Sequence, residues 1–218
     1  MSKIYTPLIL ILTHLGFLYI GASYLSSKKP AELIPVNESE FKLKNPYDFN
    51  FIGKADYPVR LVKLARLDCK GCASMNKIIK EILTLYKDKI YYSYRPITLR
   101  KGSGFDKISK GLYAAGKLGI FWDYIDYFYS HTNEPRPWSH ENLNNALNTL
   151  KISEKLFNRH VNLDEARHYI ENETKVVQGI RTKIVPTLII NGKMFVGPKS
   201  LEELKSIINK ILNEKTER

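Results

Sequence analysis

The chain has 218 residues, of which 44% are hydrophobic and 11% aromatic, so it can build a folded domain with a substantial core and is not a disordered chain. Its formal net charge is +12, but the lysines are spread over every segment and no arginine-rich run or nucleic-acid motif accompanies them. We therefore expect no nucleic-acid partner. The excess lysine indicates a solvated surface with at most a weak attraction to anionic lipids or acidic partners.

The N-terminus carries an apolar segment, residues 4–24, directly after Lys3. About 21 helical residues are enough to cross roughly 30 Å of hydrocarbon. Residues 1–25 are thus predicted to be a signal peptide or a signal anchor. A cleavage site after Gly21 or Ala22 lacks the small residue wanted two positions earlier, which favours the anchor. Residues 26–50, rich in Ser, Pro, Lys, Glu and Asn, are predicted to be a linker.

The folded domain is predicted to span residues 51–213. After a turn at residues 53–58, the apolar residues 59–66 predict a strand, and a helical pattern begins directly behind Cys69-Lys70-Gly71-Cys72. Residues 90–97, rich in Tyr and Ile, predict a second strand. Strand, helix and strand in this order imply a parallel βαβ unit.

Cys69 and Cys72 are the two cysteines of the chain, and the first lies where a strand meets a helix N-terminus. Unpaired N–H groups and the helix dipole at such a place lower the pKa of a thiol, so Cys69 is the predicted nucleophile. Cys72 follows one helical turn later, close enough to resolve a mixed disulfide on Cys69. The spacing thus predicts a reversible disulfide.

Three other uses of these sulfurs remain open at this stage. The first is a copper(I) site, in which both thiolates bind the metal together with Met75. Zinc is not among them, because a zinc site would need two more ligands than the pair offers. A structural disulfide would more often close a longer loop. A catalytic Cys–His pair is the third, although the candidate histidines lie far along the chain: His131, His140, His160 and His168.

Residues 104–178 have a helical pattern throughout and predict an inserted helical subdomain. Ser139 is predicted to cap one helix, and Asn162 with Glu165 to start another. Its many aromatic residues are interpreted as the core of this subdomain: Tyr113, Phe121, Trp122, Tyr124, Tyr127, Phe128 and Tyr129.

Strand periodicity returns at residues 185–190, entered through Pro186, and Asn191-Gly192 predicts a hairpin with residues 193–196. Ser200 with Glu203 predicts the start of a last helix over residues 201–212, and residues 214–218 are a predicted tail.

This order of elements resembles the DsbA-like family of thioredoxin-fold disulfide oxidoreductases: a strand, Cys69–Cys72 at a helix start, inserted helices, Val185-Pro186-Thr187, Asn191-Gly192 and a final helix. The resemblance covers residues 51–212. It implies an α/β thioredoxin fold in which Pro186 is cis and lies against the disulfide. It also implies that Val185 offers backbone groups to a substrate peptide in β-strand fashion.

Three positions depart from the family pattern. Family members often carry a buried acid six positions before the first cysteine, where this chain has Lys63, whose positive charge would favour a thiolate. Lys70-Gly71 replaces the Pro-His of strongly oxidising members, and Lys70 could still lower the pKa of Cys69. Ile184-Val185 replaces the commoner Gly-Thr before the proline.

The resemblance implies an exported thiol:disulfide oxidoreductase that most simply introduces disulfides, with a reductase or isomerase of the same fold as the nearest alternative. It implies no cofactor beyond the cysteine pair. Its expected partners are cysteine-containing exported proteins, a quinone-linked membrane reoxidant and the membrane itself through residues 4–24. The expected location is the periplasmic side of a bacterial inner membrane.

Overall fold

The computed structural model describes residues 34–35, 47–97, 103–135, 137–180, 182 and 184–216. All of them belong to one compact unit, Ile34–Arg218. The apolar segment of residues 4–24 lies outside the described residues. Within the described ranges, none of the helices combines the length and apolar character needed to cross a bilayer.

A mixed sheet forms the centre of this unit, with strand order β1-β6-β5-β3-β4-β2. β3 and β4 are parallel, and the other neighbouring pairs are antiparallel. The strands are β1 (Ile34–Pro35), β2 (Phe51–Ile52), β3 (Val59–Ala65), β4 (Ile90–Pro96), β5 (Thr187–Ile190) and β6 (Lys193–Val196). The predicted parallel βαβ unit is confirmed as β3, the helix after the cysteines and β4.

Seven helices occur in the described residues: α1 (Lys70–Leu85), α2 (Ser103–Lys117), α3 (Phe121–Ser130), α4 (His140–Thr149), α5 (Glu154–Val161), α6 (Asp164–Gly179) and α7 (Leu201–Thr216). Helices α2 to α6 lie between β4 and β5 in the chain and form the predicted helical insertion. Helices α1 and α7 pack together, and their apolar residues share one core with Val59 and Leu61 of β3. The first turn of α1 is thereby held at the end of the central strand.

The β5–β6 hairpin turns at Asn191-Gly192, as predicted. Both residues have positive φ angles, 45° and 76°, which Asn and Gly adopt more easily than other residues. The Asn191 side chain also accepts a hydrogen bond from the Arg60 N–H at 2.7 Å and donates one to the Pro58 carbonyl at 3.0 Å. The turn therefore fixes β5 against the start of β3.

The helical insertion has the aromatic core that its composition predicts. Phe121, Tyr124, Tyr127, Phe128 and Tyr129 are all buried, and Trp122 packs at the edge of the same cluster. A buried ion pair also ties the insertion to the sheet, since Arg95 of β4 lies 3.0 Å from the carboxylate of Glu173 on α6. Burial raises the pKa of Glu173 to about 7, although Arg95 acts in the opposite direction.

Two of the three predicted helix starts are confirmed. Ser139 caps α4 by accepting the Asn142 N–H, and Ser200 and Glu203 exchange two hydrogen bonds at the start of α7. The predicted start at Asn162 is wrong. The N–H of Asn162 bonds to the Asn158 carbonyl and ends α5, and α6 begins at Asp164.

The fold also extends beyond the predicted limits of residues 51 and 213. Ile34–Pro35, within the predicted linker, pairs with β6, and helix α7 continues to Thr216. From the same linker, the Phe49 ring lies 5.3 Å from Phe121 and 5.6 Å from Tyr169. Ile34–Pro35 and Phe49 therefore belong to the folded domain, although the composition of their segment is typical of a linker.

Replacing Phe49 by Ala tests whether this part of the predicted linker belongs to the core. We expect Phe49→Ala to lower the free energy of unfolding by about 2 kcal/mol, less than for a fully buried Phe because the ring is half-buried. Phe51→Ala is the matched control, two residues away and exposed, with an expected loss below about 1 kcal/mol. Denaturant unfolding measures both. Equal losses would contradict the assignment of Phe49 to the core.

Candidate active site

Cys69 is the N-cap residue of α1, with extended backbone angles (φ −110°, ψ 111°), and it forms a disulfide with Cys72. Its Sγ also accepts a hydrogen bond from the Cys72 N–H at 3.0 Å, one of the unpaired donors of the helix start. Cys72 is fully buried, whereas Cys69 is half-buried. An incoming thiolate can therefore reach the Cys69 sulfur, and the Cys72 sulfur is shielded.

The charges around the start of α1 favour an anion on Cys69. No acidic residue lies in the first turn of α1. Asp68 directly precedes Cys69, but Arg66 pairs with both of its carboxylate oxygens, at 2.7 and 3.2 Å. This pairing offsets the one negative charge next to the cysteine, so the positive end of the helix dipole dominates there.

The loop before β5 lies against the disulfide. The Val185–Pro186 peptide bond is cis, as the family resemblance implies, and the Val185 carbonyl oxygen is 3.7 Å from the Cys69 sulfur. A Cβ on Gly71 would come within 3.3 Å of Pro186 Cδ and 3.5 Å of Pro198 Cγ. Gly71 therefore lies directly against this loop, and a side chain there would require a small shift of its neighbours.

Lys63 of β3 contacts the first turn of α1. Side chains alternate along β3, so Lys63 shares the α1-facing row with Val59 and Leu61 and is fully buried. Its Nζ donates to the Cys72 carbonyl at 3.0 Å and to the Asn76 side-chain oxygen at 3.3 Å. Its Nζ is also 4.6 Å from the centroid of the Tyr129 ring. The lysine thus points towards the redox pair.

Two opposing influences act on the protonation of Lys63. Burial lowers the pKa of Lys63 well below its ordinary value, because a desolvated ammonium is costly, and the carboxylate of Asp126 acts in the opposite direction. Asn76 lies between these charges. Its oxygen faces Lys63, and its nitrogen donates to Asp126 at 2.8 Å. The amide is therefore oriented to suit a positive charge on one side and a negative charge on the other.

Asn76 and Asp126 were missed by the sequence reasoning. Asn76 could have been suspected, because it follows Cys72 by four residues on a helix and so shares its buried face. Asp126 had no such signal, since only the folded chain brings α3 next to α1. Both residues line a cavity of about 500 Å³ between these helices, which also includes Lys80, Tyr129 and His131.

Two predicted site residues remain, Lys70 and Met75. Lys70 is exposed at the start of α1, so water screens its charge. Met75, the possible copper ligand, is fully buried, and its sulfur accepts a hydrogen bond from the Lys199 N–H at 3.4 Å. Among the described residues, no group of three or more His, Cys, Asp or Glu side chains could hold a metal ion.

Known proteins share the fold of this chain. A family model described as Thioredoxin matches residues 45–210. The solved structure of the thiol-disulfide exchange protein alpha-DsbA2 from Wolbachia pipientis is 24% identical, with 80% of this chain and 90% of that chain covered and a TM-score of 0.67. The catalytic domain of Proteus mirabilis ScsC is 18% identical, with 75% and 89% covered and a TM-score of 0.62.

The curated relatives of this chain are named as Na(+)/H(+) antiporters. A Na(+)/H(+) antiporter NhaA 3 from Salinispora tropica is 22% identical over 202 residues, which is 87% of this chain and 29% of the relative. A second antiporter, NhaA 1 from Salinispora arenicola, is 23% identical over the same share of its length. The chain thus spans less than a third of these relatives. Because the family model covers most of the chain, the protein belongs to the thioredoxin family, and its fold is DsbA-like.

Proposed function

We propose that the protein is a thiol:disulfide oxidoreductase that introduces disulfides into cysteine-containing substrate proteins. The observation that carries this proposal is the disulfide between a half-buried, helix-capping Cys69 and a fully buried Cys72. Only the first sulfur is open to attack, so exchange has one entry point. Similarity to a solved thiol-disulfide exchange protein supports the same chemistry.

The reaction has two exchange steps. A substrate thiolate attacks the Cys69 sulfur, the Cys69–Cys72 bond breaks, and Cys72 leaves as a thiolate. A second substrate thiolate then attacks the substrate sulfur of the mixed disulfide and displaces Cys69. Two electrons pass from the substrate to the cysteine pair, and the substrate leaves with a disulfide. Val185 and Pro186 lie beside the entry point, where the Val185 backbone would align the substrate chain in β-strand fashion.

The charges around the cysteine pair favour the oxidising direction of exchange. A disulfide is a strong oxidant when its reduced form is stabilised, and positive groups near a thiolate provide that stabilisation. Here the start of α1 acts on Cys69, and Lys63 lies beneath Cys72 at 3.0 Å from its carbonyl oxygen. A Lys63 amine of lowered pKa would take up a proton when a thiolate forms nearby. Reduction and protonation of Lys63 would then favour each other.

The proposed setting is the periplasmic side of a bacterial inner membrane. Residues 4–24 would anchor the chain or direct its export, and a quinone-linked membrane partner would reoxidise the cysteine pair. Relatives named as Na(+)/H(+) antiporters support a place for this kind of domain next to a membrane. No cofactor beyond Cys69 and Cys72 enters the proposal.

The reduction potential of the Cys69–Cys72 pair tests the direction of exchange. We expect a value on the order of −120 mV when the full-length protein is equilibrated with glutathione buffers and its thiols are counted by alkylation. A value around −270 mV would instead indicate a reductase or isomerase. Absence of any reversible couple would contradict thiol-disulfide exchange altogether and would bring copper binding forward.

Single serine substitutions test the roles of the two cysteines. We expect Cys72→Ser to accumulate a mixed disulfide with a substrate protein that contains a disulfide, because the Cys69 thiolate attacks that disulfide and displaces one substrate sulfur as a thiolate, and no resolving sulfur remains beside Cys69. Cys69→Ser should form none, because the Cys72 sulfur is fully buried. Non-reducing electrophoresis and mass spectrometry detect the adduct. Equal trapping by both variants would contradict the assigned order of attack.

Replacing Lys63 by Met tests its role in tuning the site. Loss of the cation should make the reduction potential more negative by roughly 30 mV, which corresponds to about one unit of thiol pKa. Lys70→Met is the control, with a smaller shift expected because Lys70 is exposed. A larger shift in the control would assign the tuning to Lys70 instead.

A further inference from the structure

Ile184 is the residue that the proposed chemistry leaves without a role. It is 58% exposed, more than any other large hydrophobic residue in the described part of the chain. It stands next to Val185, whose carbonyl oxygen is 3.7 Å from the reactive Cys69 sulfur. Consecutive Cα atoms are ~3.8 Å apart, so the Ile184 side chain projects within one residue of the point of attack.

The surrounding loop holds the Ile184 backbone by two hydrogen bonds. The Ile184 N–H donates to the Thr182 hydroxyl oxygen at 3.2 Å, and the Thr187 hydroxyl donates to the Ile184 carbonyl at 2.7 Å. Both threonines are buried. Because the polar groups of the Ile184 backbone are already paired, what this residue offers an incoming molecule is its apolar side chain.

An exposed aliphatic side chain at this place gains free energy when another molecule covers it. A substrate cysteine that bonds to Cys69 brings the residues on either side of it to the same loop. Pro186 is buried, but Pro198 is exposed and approaches Gly71 on the same side of the disulfide. Two exposed apolar residues, Ile184 and Pro198, therefore lie near the disulfide in the chain segments that border it.

We propose that Ile184 is a specificity-determining residue that packs against an apolar side chain next to the reacting cysteine of the substrate. This inference rests on the proposed function and names the substrate class: cysteines that lie in apolar sequence, as do cysteines destined for a protein core. Because the backbone of Ile184 is held in place, little ordering of the loop opposes the contact.

The experiment compares two peptides that each contain one cysteine and differ only in its two neighbours, both Leu or both Ser. The readout is the second-order rate constant for reduction of Cys69–Cys72 in the oxidised full-length protein, measured by acid quenching and alkylation. Each rate is divided by the rate of the same peptide with glutathione disulfide, so a difference in thiolate fraction or in intrinsic nucleophilicity cannot produce the preference.

We expect the Leu-flanked peptide to react on the order of tenfold faster, which is within what the burial of one aliphatic side chain supplies. Ile184→Ser should reduce this preference to roughly twofold or less, whereas Ile184→Leu should retain it. Leu85→Ser is the matched control, because Leu85 is 56% exposed at the far end of α1. This variant should prefer the Leu-flanked peptide as strongly as the unchanged protein does.

Equal rates for the two peptides with the unchanged protein would overturn the inference and leave disulfide exchange intact. A preference that persists in Ile184→Ser would overturn it as well. If neither peptide nor glutathione reduces the disulfide, the proposed function fails, and the inference fails with it. The reaction with glutathione thus separates the two kinds of failure.

Discussion

The hydrogen bond from Lys63 to the Cys72 carbonyl is the interaction on which the rest of the site depends. A buried ammonium is unfavourable unless polar groups surround it, and the fold supplies them from separate elements. α1 provides the Cys72 carbonyl and the Asn76 oxygen, and α3 provides the Tyr129 ring face. The central strand, the redox helix and the helical insertion therefore meet at one side chain.

The helical insertion is consequently part of the redox site. Tyr129 of α3 covers Lys63 and also donates a hydrogen bond to the Arg66 carbonyl, while Arg66 pairs with Asp68 directly before Cys69. Asp126, one turn earlier on α3, reaches Lys63 through Asn76. A shift of α3 would thus alter both the environment beneath Cys72 and the segment that leads into Cys69.

Features of the fold that depend on neighbouring residues could be predicted from the sequence. The strand that ends at Cys69-x-x-Cys72, the Asn191-Gly192 turn and the Ser200 cap each rest on a few consecutive residues. The partners of Lys63 could not be predicted in this way, because Asp126 comes from a helix far along the chain. Phe49 was hidden because polar residues dominate its segment, although its ring packs in the core.

The family resemblance implies a buried acid at the position of Lys63, and a protonated lysine there would reverse the sign of the buried charge. A carboxylate beneath the cysteines would oppose a thiolate, whereas an ammonium favours it. In the oxidised protein Lys63 has no anion at the disulfide to offset its desolvation, and burial lowers its pKa. Under the proposed function, reduction would supply that anion, and the lysine would penalise the disulfide form and stabilise the dithiol form. If exchange runs in the proposed direction, this buried side chain would make the protein the better oxidant.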